Sequence, residues 1–144
     1  MTRRSIITLS TIAALGLALL PSSVIAQQNS LKDQLVGTWT LVSVTNRAVI
    51  QLVGTNPKGV LMIDAGGRYA TVYGKPDRPK SANRAENFVA NYGTWSSNES
   101  DKTITFHREG ALSPNLEGMD LITSVAIAGD EMRTAAGDVW RRAK

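Results

Sequence analysis

The chain contains no cysteine and only one histidine, and both shortages exclude whole classes of functional site. Without cysteine there is no disulfide framework, no thiolate metal site, no iron–sulfur cluster and no cysteine nucleophile. The single histidine, His107, excludes a zinc site built from several imidazoles. The sequence also has no calcium-loop pattern and no glycine-rich phosphate loop ahead of a helix. We therefore expect neither a metal nor a cofactor.

An excess of charge of one sign is also missing. Sixteen Lys and Arg accompany twelve Asp and Glu, and removal of Arg3 and Arg4 with a predicted leader lowers the formal net charge from +4 to +2. No cluster of five or more basic residues remains, which argues against nucleic acid as a partner. A hydrophobic fraction of 42% with 19% charged residues is typical of a packed domain. At roughly 100–200 residues per domain, the length allows one.

The first 26 residues have the organisation of a signal peptide. Two arginines precede the uncharged run 6–20, which is followed by Pro21 and by compact residues at 24–26, so we expect cleavage after Ala26. The run has about 15 residues, fewer than the ~20 needed to cross a bilayer, which favours a cleaved leader over a retained anchor. The paired arginines leave both the general secretory and the twin-arginine routes open. The sequence predicts an exported protein, periplasmic or secreted, without a stable membrane span after cleavage.

The rest of the chain has the pattern of an all-β protein. Residues 27–34 predict a short tether or one helical turn, and residues 35–144 then follow a period of two. Short β-branched and aromatic segments alternate with turn residues, which predicts eight strands. These are residues 38–44, 60–63, 68–73, 92–97, 103–107, 121–127, 131–134 and 139–142. Since no long helical period interrupts them, we predict an eight-stranded antiparallel up-and-down barrel.

Four segments resemble the bacterial and fungal lipocalin-like domain family. They are residues 35–43 (LVGTWTLVS), 56–62 (NPKGVLM), 91–95 (NYGTW) and 107–115 (HREGALSPN), and they keep the order of that family. The chain departs from the family at residues 121–123, where members tend to carry an arginine. The resemblance implies a calyx-like barrel, but it does not imply one activity. It also implies that Trp39 lies at one barrel end with Arg141 or Arg142 stacked on it.

Several aromatic residues are candidates for lining a ligand cavity. We single out Tyr69, Tyr73, Phe88 and Tyr92, together with His107, as candidate ligand-binding residues. In a small barrel the same side chains can instead fill the interior and leave no cavity. A ligand pocket of this type is mainly apolar with a few polar groups.

The long connection at residues 75–90 predicts a lid. Asn83 and Glu86 form a capping pattern, which predicts a short helix over residues 83–89 that covers the barrel mouth with Phe88 pointing inward. Basic residues would surround the entrance and favour a ligand with an acidic head group; they are Lys75, Arg78, Lys80 and Arg84. The alternative is a solvated loop.

His107 and Glu109 are the candidate catalytic residues. They lie two residues apart, so the carboxylate is a candidate to orient the imidazole as a general base. The alternative is a structural histidine that binds the backbone of the following turn. The scarcity of other catalytic groups favours an exported protein that binds a small apolar or amphipathic ligand over an enzyme. Two alternatives stay open: an isomerase- or cyclase-type barrel enzyme with His107 as proton carrier, and a structural module without a cavity.

Overall fold

The computed structural model describes residues 29–78 and 85–144. The predicted leader (1–26) and the start of the predicted lid helix (83–84) lie outside the described residues. In chain order the elements are α1 (Leu31–Leu35), β1 (Gly37–Val44), α2 (Arg47–Val53), β2 (Lys58–Ile63), β3 (Arg68–Gly74), a 3₁₀ turn (Ala85–Asn87), β4 (Phe88–Asn98), β5 (Thr103–Ala111), a second 3₁₀ turn (Pro114–Leu116), β6 (Asp120–Ala128), β7 (Glu131–Thr134) and β8 (Asp138–Arg142).

The eight strands of the described chain form one closed antiparallel barrel. Each strand pairs with the next, and β1 pairs with β8 to close the sheet. The predicted fold class and strand order are therefore confirmed. Along each strand the side chains alternate between the interior and the outer wall, as on β5, where Ile104 and Phe106 are buried and His107 is exposed. Burial of each large apolar side chain stabilises the barrel by about 1.5–3 kcal/mol.

One end of the barrel, here called the closed end, is sealed by α1. Leu35 of this helix is fully buried, and its carbonyl accepts a hydrogen bond of 2.9 Å from the indole nitrogen of Trp39. The guanidinium of Arg142 lies 4.2 Å from the centre of the Trp39 ring. The same guanidinium donates to the carbonyls of Val36 and Gln34 at 2.9 and 2.6 Å. Thus α1, which begins inside the predicted tether, is part of the barrel.

The opposite end, here called the mouth end, carries α2 between β1 and β2. The side chain of Asn46 caps this helix by accepting from the backbone N–H groups of Ala48 and Val49. Gly54 ends it with a φ of 82°, a conformation that favours glycine. Val53 is fully buried, and the helix contacts β3, β4 and the 3₁₀ turn that precedes β4. An apolar helix therefore covers part of this end, at a place where the sequence predicted none.

Strand β4 begins earlier than predicted, and this corrects the predicted lid helix. Phe88 is already paired with Gly74 at the end of β3, and only the three residues 85–87 form a 3₁₀ turn. The Phe88 ring lies over the bare backbone of Gly74, where any Cβ atom would overlap the ring. The seven-residue ladder between β3 and β4 pairs the backbone N–H and C=O groups of both strands. A helix over residues 83–89 would remove residues 88 and 89 from this ladder and leave their partners on β3 unpaired.

Candidate functional site

The barrel encloses a cavity of about 110 Å³. Its walls are mainly apolar and come from seven strands, β2 to β8: they include Leu61, Ile104, Phe106, Val125, Met132 and Trp140. Leu121 also lines the cavity and is 38% exposed, so the cavity reaches solvent near the start of β6. Because α1 seals the other end, the cavity is a cup that opens at the mouth end.

Two tyrosines stand inside the cup. The Tyr69 hydroxyl donates to Oδ1 of Asn91 at 2.8 Å, and its ring centre lies 4.6 Å from that of Phe106. Tyr73 meets Trp140 edge to face, with ring centres 6.0 Å apart. Burial raises the pKa of Tyr73 to about 12, and the charge of Asp138 adds to the rise. Both phenols therefore remain protonated near neutral pH and serve as hydrogen-bonding groups.

Arg108 is the cationic side chain of the cavity wall. It follows Ile104 and Phe106 at a spacing of two, so it continues their inward-facing row. The β4–β5 register shifts at Gly93, which pairs with Arg108, and a Cβ at Gly93 would overlap the carbonyl oxygen of His107. This bulge brings the two strands close together beside Arg108.

The guanidinium of Arg108 lies close to both cavity tyrosines. Its charge counteracts the rise that burial produces in the pKa of Tyr69 and of Tyr73. The Nε atom is fully buried, and no acceptor among the described residues binds it. A buried guanidinium nitrogen without an acceptor is energetically unfavourable, so this Nε weakens the fold as long as it has no partner.

Asp138 places a carboxyl group in the same cavity, on strand β8. It is the first residue of β8, and its backbone N–H donates to the hydroxyl of Thr134 at 3.2 Å. Burial raises the pKa of Asp138. Among the described side chains no ion pair joins Asp138 to Arg108. The two charged groups thus share one cavity without neutralising each other by direct contact.

The structure separates the predicted ligand-binding residues into two groups. Tyr69 and Tyr73 line the cavity, whereas Phe88 and Tyr92 do not. Tyr92 is 53% exposed, on the outer wall above Gly110, and Phe88 lies 3.8 Å from the guanidinium of Arg78. Both placements correct the prediction, and the reason is strand alternation: Val89 and Asn91 are the inward-facing residues of this part of β4.

His107 and Glu109 are also on the outer wall, which corrects both their catalytic and their ligand-binding assignment. Nδ1 of His107 lies 2.6 Å from Oδ1 of Asp120, while Glu109 pairs with Arg68 at 2.7 Å. The two residues bind different partners, and the His107 side chain is half exposed. The His107 imidazole therefore does not line the cavity, as a proton carrier for a cavity substrate would have to. Within residues 29–78 and 85–144 no three acidic or histidine side chains are placed to hold a metal ion.

The structure distinguishes the two candidate arginines for the closed end. Arg142 is the one that stacks on Trp39. Arg141 is exposed and extends from the outer wall, with its guanidinium 3.7 Å from the Glu131 carboxylate. The two neighbours differ because consecutive residues of a strand point to opposite faces.

Sequence reasoning missed the amide and the two charged side chains of the cavity, which are Asn91, Arg108 and Asp138. The signal for Arg108 was present, because it continues the apolar face of Ile104 and Phe106 when the strand is extended past residue 107. Asn91 was missed because β4 was predicted to begin at residue 92. Asp138 has the appearance of an ordinary turn residue, and only the closure of β8 against β1 places it in the interior.

Comparison with known proteins identifies no family for this chain. No family model matches the chain, and no curated protein matches it. Among solved structures it is similar to a crystal structure of a lipoprotein, YedD from Klebsiella pneumoniae subsp. pneumoniae. That match has 13% sequence identity and a TM-score of 0.45, and it covers 76% of this chain and 73% of the other. Across the described residues no helix has the length and apolar character needed to cross a membrane.

Proposed function

We propose that this protein binds one small amphipathic molecule inside the barrel. The observation that carries the proposal is the cup-shaped cavity of about 110 Å³, with apolar walls and a few polar groups. This composition is that of sites for small organic ligands. In a barrel that served only as a structural module, side chains would fill the interior, so the open volume favours a binding function.

The geometry of the barrel ends supports the same proposal. The closed end is fixed by the Trp39–Arg142 stack and by hydrogen bonds to α1, so ligand entry there would require breaking the base of the barrel. At the mouth end, Leu121 is exposed and leads into the cavity. A ligand can therefore enter by the mouth without unfolding a strand, and it meets apolar walls on the way in.

A cavity-filling substitution tests this function. Thr123 faces the cavity from β6, whereas its neighbour Ser124 faces solvent, so Thr123→Phe and Ser124→Phe form a matched pair. The wild type is expected to bind at least one ring compound from a panel of phenol, benzyl alcohol, benzamide and benzoate. Native mass spectrometry and tryptophan fluorescence report the binding, since Trp140 lines the cavity. T123F is expected to lose it and S124F to keep it.

Two outcomes would contradict a cavity-binding function. One is that no compound of the panel binds to the wild type. The other is that T123F, shown to be folded by circular dichroism, binds as well as S124F does. If T123F does not fold, Ala136→Phe blocks the cavity from the β7–β8 turn and serves as the second variant.

We also propose that the protein is exported to the periplasm or secreted, as the predicted leader over residues 1–26 suggests. A C-terminally tagged full chain is expected in the envelope or medium with its N-terminus at Gln27, by fractionation and N-terminal sequencing. A chain without residues 2–26 is expected to stay in the cytoplasm. An uncleaved chain in the membrane fraction would indicate a retained anchor instead.

A further inference from the structure

The position of Arg108 says more about the ligand than the apolar walls do. This side chain belongs to the inward row of β5, and its Nε atom is completely buried without an acceptor among the described residues. Its guanidinium is close enough to Tyr69 and Tyr73 to affect the ionisation of both phenols. The positive charge is therefore directed into the cavity and not toward the outer wall.

An arginine that lines an apolar cavity favours a carboxylate as its partner. A guanidinium presents planar N–H groups that match the two oxygens of a carboxylate, and charge-assisted pairs of this kind are stronger than neutral hydrogen bonds. Asp138 lies on the same cavity, yet no ion pair within 4.0 Å joins it to Arg108 among the described side chains. The direction of the pKa shift of Asp138 is upward, with burial as its cause, so Arg108 is not acting as its counter-ion. An incoming carboxylate would provide the missing partner.

The cavity volume limits the rest of the ligand. An apolar cavity of roughly 150 Å³ accepts a benzene molecule, and the cup here measures about 110 Å³ and opens at one end. Because this volume is smaller than the one that holds benzene, a single ring or a short branched chain fits only with part of the ligand in the open mouth, and a long acyl chain does not fit inside. A charged Asp138 in the same cavity also disfavours any acidic group of the ligand that Arg108 does not hold.

The register fixes the orientation of such a ligand. Phe106 pairs with Leu121 at the start of β6, and Arg108 lies two residues further toward the mouth. Ile104 and Val125 lie in the opposite direction, toward the closed end. The carboxylate would therefore lie near the mouth, and the apolar body would lie deeper in the cup.

We propose that the cavity binds a compact monocarboxylic acid, with Arg108 holding the carboxylate and the apolar walls holding a ring or short chain. This inference rests on the proposed binding function, and it names the ligand class and the residue that selects it. Tyr69, held by its hydrogen bond to Asn91, lines the same cavity and offers an additional hydroxyl.

Benzoate and benzamide separate charge recognition from simple cavity filling. The two probes have nearly the same shape, and only benzoate carries a carboxylate. Isothermal titration is expected to show that the wild type binds benzoate roughly 10- to 100-fold more tightly than benzamide, which is the range of a charge-assisted hydrogen-bonded pair. Arg108→Met is expected to remove this difference by weakening benzoate and leaving benzamide within about threefold.

The matched control is Arg133→Met, which removes an equal charge from the outer face of β7. It is expected to leave both affinities unchanged, and Arg108→Lys is expected to lie between the wild type and R108M. Equal binding of the two probes to the wild type, or unchanged benzoate binding in R108M, would overturn the acid-binding inference and leave the cavity function standing. Failure of both probes, together with the rest of the ring panel, would instead overturn the cavity function itself. If R108M does not fold, the difference between benzoate and benzamide binding to the wild type decides whether the cavity selects an acid.

Discussion

The two ends of the barrel each hold an arginine, and the surroundings of the two side chains differ sharply. At the closed end, Arg142 stacks on Trp39 and donates to two backbone carbonyls. At the mouth end, Arg108 reaches the interior, where its buried Nε has no acceptor among the described residues. A charged side chain that is fully partnered stabilises a fold, whereas one without partners destabilises it and is available to a ligand.

The ends differ in the same way in their apolar contacts. Leu31 and Leu35 of α1 fill the closed end together with Trp39, and all three are buried. The mouth end keeps Leu121 exposed beside the cavity. We infer that the closed end supplies much of the stability of the barrel, and that the mouth end gives up stability for binding. Four variants test this difference.

The largest effect is expected at the base of the barrel. Trp39→Ala removes a fully buried ring, its hydrogen bond to Leu35 and its contact with Arg142. We expect a loss of about 3–5 kcal/mol in the free energy of unfolding, the range for truncation of large core aromatic residues. Chemical denaturation measures it, and a change within about 0.5 kcal/mol would show that this end does not carry the stability assigned to it.

Arg142→Met tests the partnered arginine. The variant keeps much of the apolar stem but loses two hydrogen bonds to carbonyls and the stacking contact with Trp39. We expect a destabilisation of about 2–3 kcal/mol, since hydrogen bonds to a charged group are worth roughly 1.5–3 kcal/mol and neighbouring contacts are not additive. Arg141→Met on the outer wall is the matched control and is expected to change stability by less than about 0.5 kcal/mol.

Arg108→Met is expected to have the opposite sign. It removes a guanidinium whose buried Nε has no acceptor among the described residues, and it adds apolar surface to an apolar wall. Thermal unfolding of the ligand-free protein should show a Tm equal to or above that of the wild type. A loss of more than about 1 kcal/mol would mean that Arg108 stabilises the fold in the way Arg142 does, and the distinction between the ends would disappear.

The smallest effect is expected for Asp138→Asn, and it depends on pH. Burial raises the folded-state pKa of Asp138 above the unfolded value of 3.8, so the folded protein binds this proton more tightly than the unfolded chain does. Stability from this group is therefore present at low pH and is lost as the pH rises through the folded pKa. Asp138→Asn has no carboxyl group and does not lose stability in this way. The Tm of the variant minus that of the wild type should therefore be larger at pH 7 than at pH 4. An equal difference at both pH values would contradict the buried placement of this carboxyl group.

The sequence predicted the barrel well because the barrel depends on local patterns. Alternation of apolar and polar residues identifies each strand, and turn residues such as those at 64–67 separate them. The predicted strand at residues 131–134 has the same bounds as β7. The arrangement of the closed end could also be predicted, because the resemblance to lipocalin-like domains implied that Arg141 or Arg142 stacks on Trp39. In the structure the stacked residue is Arg142.

The mouth end was harder to predict because its arrangement depends on pairing between distant segments. Residues 88–91 have no pattern that distinguishes a helix from a strand, and only the ladder with β3 decides that Phe88 faces outward. The seven-residue helix α2 is stabilised by packing against β3 and β4, and a helix this short has little intrinsic stability. Arg108 follows the titratable His107 directly, but it points to the opposite face of β5, so a functional face predicted from His107 is the wrong side of the strand.

A crystal structure of the wild-type protein in saturating benzoate would show directly whether Arg108 selects the ligand. We expect one benzoate in the barrel, with its ring among Ile104, Val125 and Trp140 and its carboxylate at about 2.7–2.9 Å from nitrogen atoms of Arg108. Benzoate bound only on the outer wall, or bound in the barrel with its carboxylate turned away from Arg108, would show that Arg108 does not select it.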